Sequence, residues 1–353
     1  MAIRRIAYFD YARFLAILGV ILVHVGQHSS ISLVPKSVTG LGRFGVQLFF
    51  IVSGATIYIT YNSLLKKTTV PNRIFYIKRF FRIVPLFILM GFYYSLTSET
   101  AVFHILSPLS GLNPYYMDAI AGGWSIWNEM YFYLIFPLYF LIRDRKGGVF
   151  VLSAILVLLS FIINTRIFGI VENSVHMMNF DYLNIFTQFI CFVFGIEMMA
   201  KAYKKILIIF TTYLLFGFGL KWLFFNDYIG VTDFGASYWL ALISILCLAI
   251  LYFLKYLSSQ FEKIHDHKIF RLISTMGQMT YTSYMIHFVL IDIYFKQLKF
   301  DYGLSINFLL ISAVTFSLSY FLKPYTENIW SAYGNKLALK FLKPNYSLQV
   351  VKE

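Results

Sequence analysis

Charged residues are scarce in this sequence, and their scarcity bounds the class of protein. Only 13% of the 353 residues are charged, 59% are hydrophobic, and the mean hydropathy is +0.69. This composition is far more apolar than that of soluble globular proteins. Apolar runs recur along nearly the whole chain and leave no stretch for a separate soluble domain. We therefore expect an all-α, polytopic membrane protein with a single domain over residues 1–353.

Several chemical signatures are also missing. The two cysteines, Cys191 and Cys247, fall inside apolar runs, which fits buried packing residues better than a disulfide or a metal site. The sequence has no metal-ligand spacing, no phosphate-binding glycine loop and no nucleophile elbow. We expect no metal and no permanently bound cofactor. No small-residue cleavage site follows the first apolar run, so we expect that run to remain as the first span.

Ten apolar windows have the length of about 20 residues that crosses a ~30 Å hydrocarbon core. Each is bounded by polar residues or by turns that contain Gly or Pro. The predicted spans are 12–28, 44–62, 80–97, 124–142, 148–165, 181–200, 206–225, 236–256, 280–297 and 304–323.

The positions of the 30 Lys and Arg residues predict the orientation. Most lie at the two termini and in the second, fourth, sixth and eighth loops, which this topology places on one side. The positive-inside rule then puts both termini in the cytoplasm. The net charge of +14 is explained by this topology signal and by attraction to anionic membrane lipids, so we expect no nucleic-acid partner.

The first span, "YFDYARFLAILGVILVHVGQH", carries ionisable residues on one helix face: Asp10, Arg13, His24 and His28. Arg13 and His24 return to within about 20° of the same direction, and His24 lies ~16 Å further along the axis. Ionisable groups at such depth are costly and normally face the bundle interior or a water-filled cavity. A structural interpretation stays open, with Arg13 as a snorkelling anchor and His24 as a packed histidine.

Two further spans carry polar groups in their outer halves. In the second span, "GVQLFFIVSGATIYIT", the predicted topology puts Ser53 level with His24, although a Ser-Gly pair also suits a packing notch. In the fourth, "WSIWNEMYFYLIFP", Glu129 lies ~8 Å below the outer start. A carboxylate at that depth must find a cation, a proton or water, so Glu129 is the residue least readily explained by structure alone.

Near the cytoplasmic edge, "YIKRFFRIVP" places Arg79 and Arg82 three residues apart on one face. Two guanidinium groups there suit the phosphates of a ligand, and positive-inside anchoring is the structural alternative. His287 in "YTSYMIHFVLI" lies ~10 Å along the ninth span from its cytoplasmic start. A basic inner cluster with a histidine, a carboxylate and a hydroxyl nearer the outside suits transfer from a polyanionic cytoplasmic donor to an acceptor on the far face, with histidine as general base.

An ordered set of motifs resembles the acyltransferase-3 family of integral membrane acyltransferases, which includes bacterial O-antigen and exopolysaccharide O-acetyltransferases. The motifs are Arg13 and His24 with ten residues between them, "GVQLFFIVSG", "KRFFRIVP", "WSIWNEMYFYLIFPL", "SYMIHF" and "YTENIW". The resemblance implies an acyl-CoA co-substrate, usually acetyl-CoA, and a surface or lipid-linked glycan acceptor such as O-antigen, capsule or exopolysaccharide. It also implies a multi-pass protein of the bacterial cytoplasmic (inner) membrane that modifies lipopolysaccharide or a similar polymer. The chain looks like the minimal type, without the extra hydrolase-like domain of longer members.

The resemblance also carries roles onto individual positions. His24 matches the essential histidine, Arg13 its partner, and Glu129 the glutamate of the Trp-Ser-rich motif, so these three are the expected catalytic residues. Arg79 and Arg82 match the paired arginines and are expected to bind the donor. Asp10, Ser53 and His287 are expected to support them. The chain departs from typical members in reading "DYARF" for "DGLRG" and "SIWNEMYFYL" for "SVEEQFYL", which bears on the shape of the acceptor pocket.

Two alternatives remain open from the sequence. A ten-helix transporter or flippase would use the same intramembrane Asp, Arg, His and Glu as a proton or substrate path, although the two halves of the chain show no convincing repeat. Within the acyltransferase class, the group transferred could be succinyl or longer, or the acceptor a small molecule, lipid or peptide.

Overall fold

The structure is a computed structural model that describes residues 6–30, 39–98, 100–113, 116–162, 180–225, 237–260 and 267–341. Within these ranges the chain is largely helical and contains no β-strand, which confirms the all-α class. The end of the fifth predicted span, residues 163–165, and the first residue of the eighth, 236, lie outside the described residues.

Eleven long helices account for most of the described chain. They are α1 (Ala7–His28), α2 (Gly45–Leu65), α3 (Pro71–Ser98), α4 (Gly123–Ile142), α5 (Gly148–Ile162), α6 (Ile185–Met199), α7 (Tyr203–Thr211, continued by Thr212–Phe216 and Gly217–Phe225), α8 (Ser237–Gln260), α9 (Lys268–Gln278), α10 (Thr280–Asp292, continued by Ile293–Gln297) and α11 (Leu304–Lys323, continued by Pro324–Asn328 and Ile329–Leu339).

Each predicted span coincides with one of these helices, but not all of them are equally apolar. Among the described residues, six helical segments are long and apolar enough to cross a membrane: Ala7–His28, Leu41–Leu65, Pro71–Ser98, Tyr203–Leu220, Trp239–Gln260 and Leu304–Leu339. Helices α5 and α6 are apolar but shorter. The count of ten spans and the cytoplasmic position of both termini stay predictions.

Helix α9 lies in the eighth loop, where the sequence predicted no span. Its apolar residues recur at helical spacing, with Phe270, Ile273 and Met276 partly buried against the core and charged residues between them. It packs across the start of α1, where Gly277 lies directly against the Asp10 carbonyl oxygen. A Cβ at Gly277 would overlap that oxygen, so the close crossing depends on glycine.

Helix α11 continues to Leu339, well past the predicted end of the tenth span at residue 323. Pro324 has no backbone N–H and would be expected to end a regular α-helix. The chain instead forms a wider π turn over Pro324–Asn328 and then resumes as Ile329–Leu339. This C-terminal segment packs along α3.

Small residues set how α1 and α2 meet. Gly42 lies against the Gly19 backbone, and Gly45 against the Ala16 carbonyl oxygen. Ser53 is eight residues beyond Gly45, so it lies ~12 Å further along α2, past the level of Ala16 toward the start of α1 and away from His24. This differs from the predicted level of His24, because residues 41–44 descend beside α1 as a short 3-10 helix before α2 begins.

Helices α2 and α6 form another close pair, built on two reciprocal glycine contacts. Gly54 lies against the Phe192 carbonyl oxygen, and Gly195 against the Ile51 carbonyl oxygen. The Phe192 ring stacks on Phe50, with ring centroids 4.4 Å apart, on the same face. Cys191 and Cys247 are buried and unbridged, which confirms their interpretation as packing residues.

We expect Gly195→Ala to destabilise the protein, because the added methyl group would overlap the Ile51 carbonyl oxygen and push α2 from α6. Overpacking of this kind costs about 1–3 kcal/mol. The thermal unfolding midpoint of the purified protein should therefore fall. Gly219→Ala in α7 is the matched control, since a Cβ there meets nothing within 4 Å. Equal midpoints for the two variants would contradict the close α2–α6 contact.

Candidate active site

Three cavities lie in series between the helices. We name them by the predicted orientation. The inner cavity, about 260 Å³, and the middle cavity, about 80 Å³, share Arg82 in their walls. The middle cavity and the outer cavity, about 370 Å³, share Val46 and Tyr284. The shared residues make the three cavities neighbours along one path through the bundle.

Cationic side chains of α3 form one wall of the inner cavity. Lys78, Arg79 and Arg82 all line it, and Arg79 is buried. The Arg79 guanidinium carbon lies 5.2 Å from the centre of the Tyr133 ring and is held by this cation–π contact. The inner cavity therefore presents a concentration of positive charge, which suits an anionic ligand.

Glu129 lines the middle cavity and accepts hydrogen bonds from two other helical residues. The hydroxyl groups of Ser53 on α2 and of Tyr133 on α4 both donate hydrogen bonds to Glu129 Oε1. Arg82 on α3 lies close enough to interact electrostatically with Glu129 and Tyr133. The carboxylate thus finds two hydroxyl donors and a neighbouring cation, which offsets the cost of placing it among apolar helices.

Arg13 lines the middle cavity and is paired with Asp10. Arg13 Nη1 lies 3.2 Å from Asp10 Oδ1, and Ser274 Oγ of α9 donates to Asp10 Oδ2 at 3.0 Å. Asp10 is 2% exposed and lies ~21 Å from His24 along α1. The structure therefore places Asp10 where it orients Arg13 and anchors α9, at a distance from His24.

His24 lines the outer cavity, one compartment away from Glu129 and Ser53. Its Nδ1 lies 3.0 Å from Gln27 Oε1, one helical turn further along α1. With the Nδ1 proton donated to Gln27, Nε2 carries the lone pair of the neutral imidazole. Gln27 follows His24 by three residues, a spacing that the sequence shows but that our motif analysis missed.

His287 is the partner of His24 on α10. The two ring centroids are 5.6 Å apart, and the Phe288 ring lies 4.3 Å from that of His24 and 4.2 Å from that of His287. His287 is fully buried, and its Nδ1 lies 2.6 Å from the Tyr284 carbonyl oxygen. His28 is one turn further out on α1, where it stacks on Phe295 with centroids 5.5 Å apart.

Asp118 adds a carboxylate to the outer cavity that sequence analysis missed. Its Oδ1 accepts a hydrogen bond of 2.8 Å from the backbone N–H of Gly122, which has a φ of 71° and precedes α4. The side chain is exposed to the cavity, and the surrounding protein removes part of its hydration, which raises the pKa of Asp118 to about 7. Asp118 lies in a loop, where no helical spacing could have indicated its direction.

Tyr284 separates the middle cavity from the outer one. Its hydroxyl donates to the Gly122 carbonyl oxygen at 3.0 Å and accepts from Ser125 Oγ at 2.8 Å. These bonds hold the Tyr284 ring against the start of α4, between Glu129 on one side and His24 on the other.

The predicted residues therefore lie in neighbouring cavities, except for Asp10, which pairs with one of them. The middle cavity brings together Arg13, Ser53, Arg82 and Glu129, and Arg79 joins Arg82 in the inner cavity. His24, with His287 beside it, belongs to the outer cavity. Asp10 lies beneath the middle cavity as the partner of Arg13.

Comparison with known proteins identifies the family. The profile of the acyltransferase domain of the acyltransferase-3 family matches residues 6–323, which is nearly the whole chain. No curated protein and no solved structure matches the chain. The matched region includes every predicted site residue and all the cavity-lining residues of α1 to α4. The chain belongs to the acyltransferase-3 family of membrane acyltransferases.

Proposed function

We propose that this membrane acyltransferase moves an acyl group, most simply acetyl, from cytoplasmic acyl-CoA to a hydroxyl of a cell-surface or lipid-linked glycan in the bacterial inner membrane. The proposal rests on the series of three cavities, with the cationic residues of the inner cavity at one end and His24 at the other. Membership of the family favours this function over the transporter or flippase alternative.

The donor is assigned to the inner cavity on charge. The phosphates of CoA would pair with Lys78, Arg79 and Arg82, since guanidinium groups bind phosphate oxygens bidentately. The narrow middle cavity suits an extended arm better than a bulky group, which fits the pantetheine chain. Arg82 lines both cavities, so it would hold the point at which the arm leaves the phosphates.

The acceptor is assigned to the outer cavity on shape and on hydrogen-bonding groups. Trp124 and Tyr182 give aromatic walls, and Asp118 gives a carboxylate that can accept from a sugar hydroxyl. His24 Nε2 would take the proton of the attacking hydroxyl as its oxygen bonds to the thioester carbonyl carbon. The carbon–sulfur bond then breaks, the thiol of CoA leaves, and the proton taken by His24 returns to the sulfur.

His24→Ala should abolish acyl transfer, because loss of a general base typically costs 10²–10⁴-fold in rate. Gln27→Ala should cause a smaller loss of roughly tenfold, since His24 keeps its ring but loses the acceptor for Nδ1–H. The measurement is O-acetyl content of the isolated glycan by NMR, with normal membrane insertion checked for each variant. His28→Ala is the control and should retain activity. Wild-type acetylation by His24→Ala protein would refute the assignment.

Arg82→Gln should raise the donor KM at least tenfold, because a charge-assisted hydrogen bond to phosphate is worth about 1.5–3 kcal/mol. The acceptor KM should stay near the wild-type value. Steady-state kinetics of purified protein with acetyl-CoA and glycan would check both constants. Arg145→Gln, which removes an exposed arginine from the loop after α4, is the control. An unchanged donor KM for Arg82→Gln would remove Arg82 from the donor site.

Asp118→Asn should lower activity and change its pH dependence. The raised pKa of about 7 means that Asp118 ionises as the pH rises through neutrality. If the carboxylate accepts from the acceptor hydroxyl, the wild-type activity gains a rising limb near pH 7 that the variant lacks. Asn keeps an oxygen for the Gly122 N–H, so the loop should remain in place. A variant with the wild-type pH profile would leave Asp118 with only its loop-capping role.

A further inference from the structure

The inner cavity has a second wall that does not come from the charged helix. Besides Lys78, Arg79 and Arg82 of α3, its lining includes Ser331 and Asn335 of the C-terminal segment of α11. Both residues lie beyond 323, where the match to the family profile ends. The cationic residues therefore belong to the matched region, whereas Ser331 and Asn335 come from a segment outside it.

Helical geometry explains why these two side chains meet the cavity together. Ser331 and Asn335 are four residues apart, so they lie one above the other on the same face of Ile329–Leu339. Gly334, the residue before Asn335, is buried against Phe81 of α3, and a Cβ at Gly334 would overlap the Phe81 side chain. The absence of a side chain at Gly334 lets the segment lie close enough to α3 to close the cavity.

The segment is fixed at both of its ends. Before it, Glu327 is buried and accepts hydrogen bonds from Thr282 at the start of α10, at 3.1 Å from the backbone N–H and 2.6 Å from Oγ1. After it, the Arg73 guanidinium carbon lies 3.9 Å from the centre of the Phe341 ring. Between these points the Tyr333 and Phe81 ring centroids are 5.0 Å apart. Contacts with two helices, α3 and α10, thus hold the segment that carries Ser331 and Asn335.

The chemistry of the two walls is complementary. Cations neutralise phosphate but bind any polyanion, whereas a hydroxyl and a carboxamide add directed donors and an acceptor without adding charge. An amide can donate to and accept from the edge of a nucleobase at the same time, whereas ammonium and guanidinium groups can only donate. A ligand that contacts both walls has phosphates on one side and neutral hydrogen-bonding groups on the other.

We propose that Ser331 and Asn335 bind the phosphorylated nucleotide end of the acyl-CoA donor and help to select CoA over simpler thioesters. The inference rests on the proposed function and extends it to a segment outside the family match. The C-terminal segment is then part of the donor site, and the two residues are ligand-binding residues of that site.

The test is direct binding of CoA to the purified full-length protein by calorimetry. The Ser331→Ala, Asn335→Ala double variant should raise the Kd for CoA about tenfold, as expected for the loss of hydrogen bonds to a charged ligand. Asn328→Ala, which removes another exposed amide of the same region that does not line the cavity, should bind like the wild type. The thermal unfolding midpoint of each variant checks the fold.

Asn335→Asp gives a second variant, nearly isosteric and at an exposed position, that keeps the proposal testable should the double variant not fold. A carboxylate in the same cavity as the phosphates should weaken CoA binding more than Asn335→Ala does, because like charges repel. In kinetics, both changes should raise the KM for acetyl-CoA, leave the acceptor KM unchanged, and have little effect on the KM for S-acetylpantetheine, which lacks the nucleotide.

The outcomes separate this inference from the proposed function. If the wild type binds CoA, Arg82→Gln weakens binding and the Ser331 and Asn335 variants bind like the wild type, the inference is wrong and the proposed function stands. If the effects on acetyl-CoA and S-acetylpantetheine are equal, the two residues do not contact the nucleotide end and the inference is again overturned. If the wild type does not bind CoA at all, both fail.

Discussion

A carboxylate that must be stabilised among apolar helices is the constraint on which the site depends. Glu129 of α4 accepts hydrogen bonds from the hydroxyls of Ser53 on α2 and Tyr133 on α4. The Arg79 guanidinium of α3 makes a cation–π contact with the Tyr133 ring. Removing Ser53 or Tyr133 would take a hydroxyl donor from a partly buried carboxylate, which weakens the contact between the helices. The three helices are therefore tied at one point, where Ser53 and Glu129 line the middle cavity and Arg79 lines the inner one.

Such a polar centre requires that the helix backbones around it approach closely, and small residues make this possible. Gly42 and Gly45 bring α2 against α1, and Gly54 with Gly195 bring α2 against α6. In a membrane, where burial of apolar surface gives little drive for helices to associate, such close packing is a main source of stability. The glycines also fix the depth of α2, which decides that Ser53 meets Glu129 and not His24.

The sequence was sufficient for the helical class, for a helix at every predicted span and for the motif residues, because apolar length and ionisable side chains at membrane depth are visible without tertiary contacts. It misplaced Ser53 in depth, since that depth depends on where the short 3-10 segment ends beside Gly19 and Ala16. It missed Asp118 because loop residues carry no periodic signal. The predicted tenth span ended at residue 323, whereas a π turn keeps the chain helical past Pro324, a residue type that usually ends a helix.

The hydrogen bonds that hold Tyr284 differ in strength from those around Glu129. This difference bears on which of the two can move. Tyr284 is fixed by neutral hydrogen bonds to Gly122 and Ser125, each worth about 0.5–1.5 kcal/mol net. In the cluster around Glu129 the hydrogen bonds go to a charged group, and each contributes about 1.5–3 kcal/mol. In the proposed reaction the thioester must pass from the middle cavity to His24. The Tyr284 ring is then the barrier that yields, while the charged cluster holds the donor arm in place.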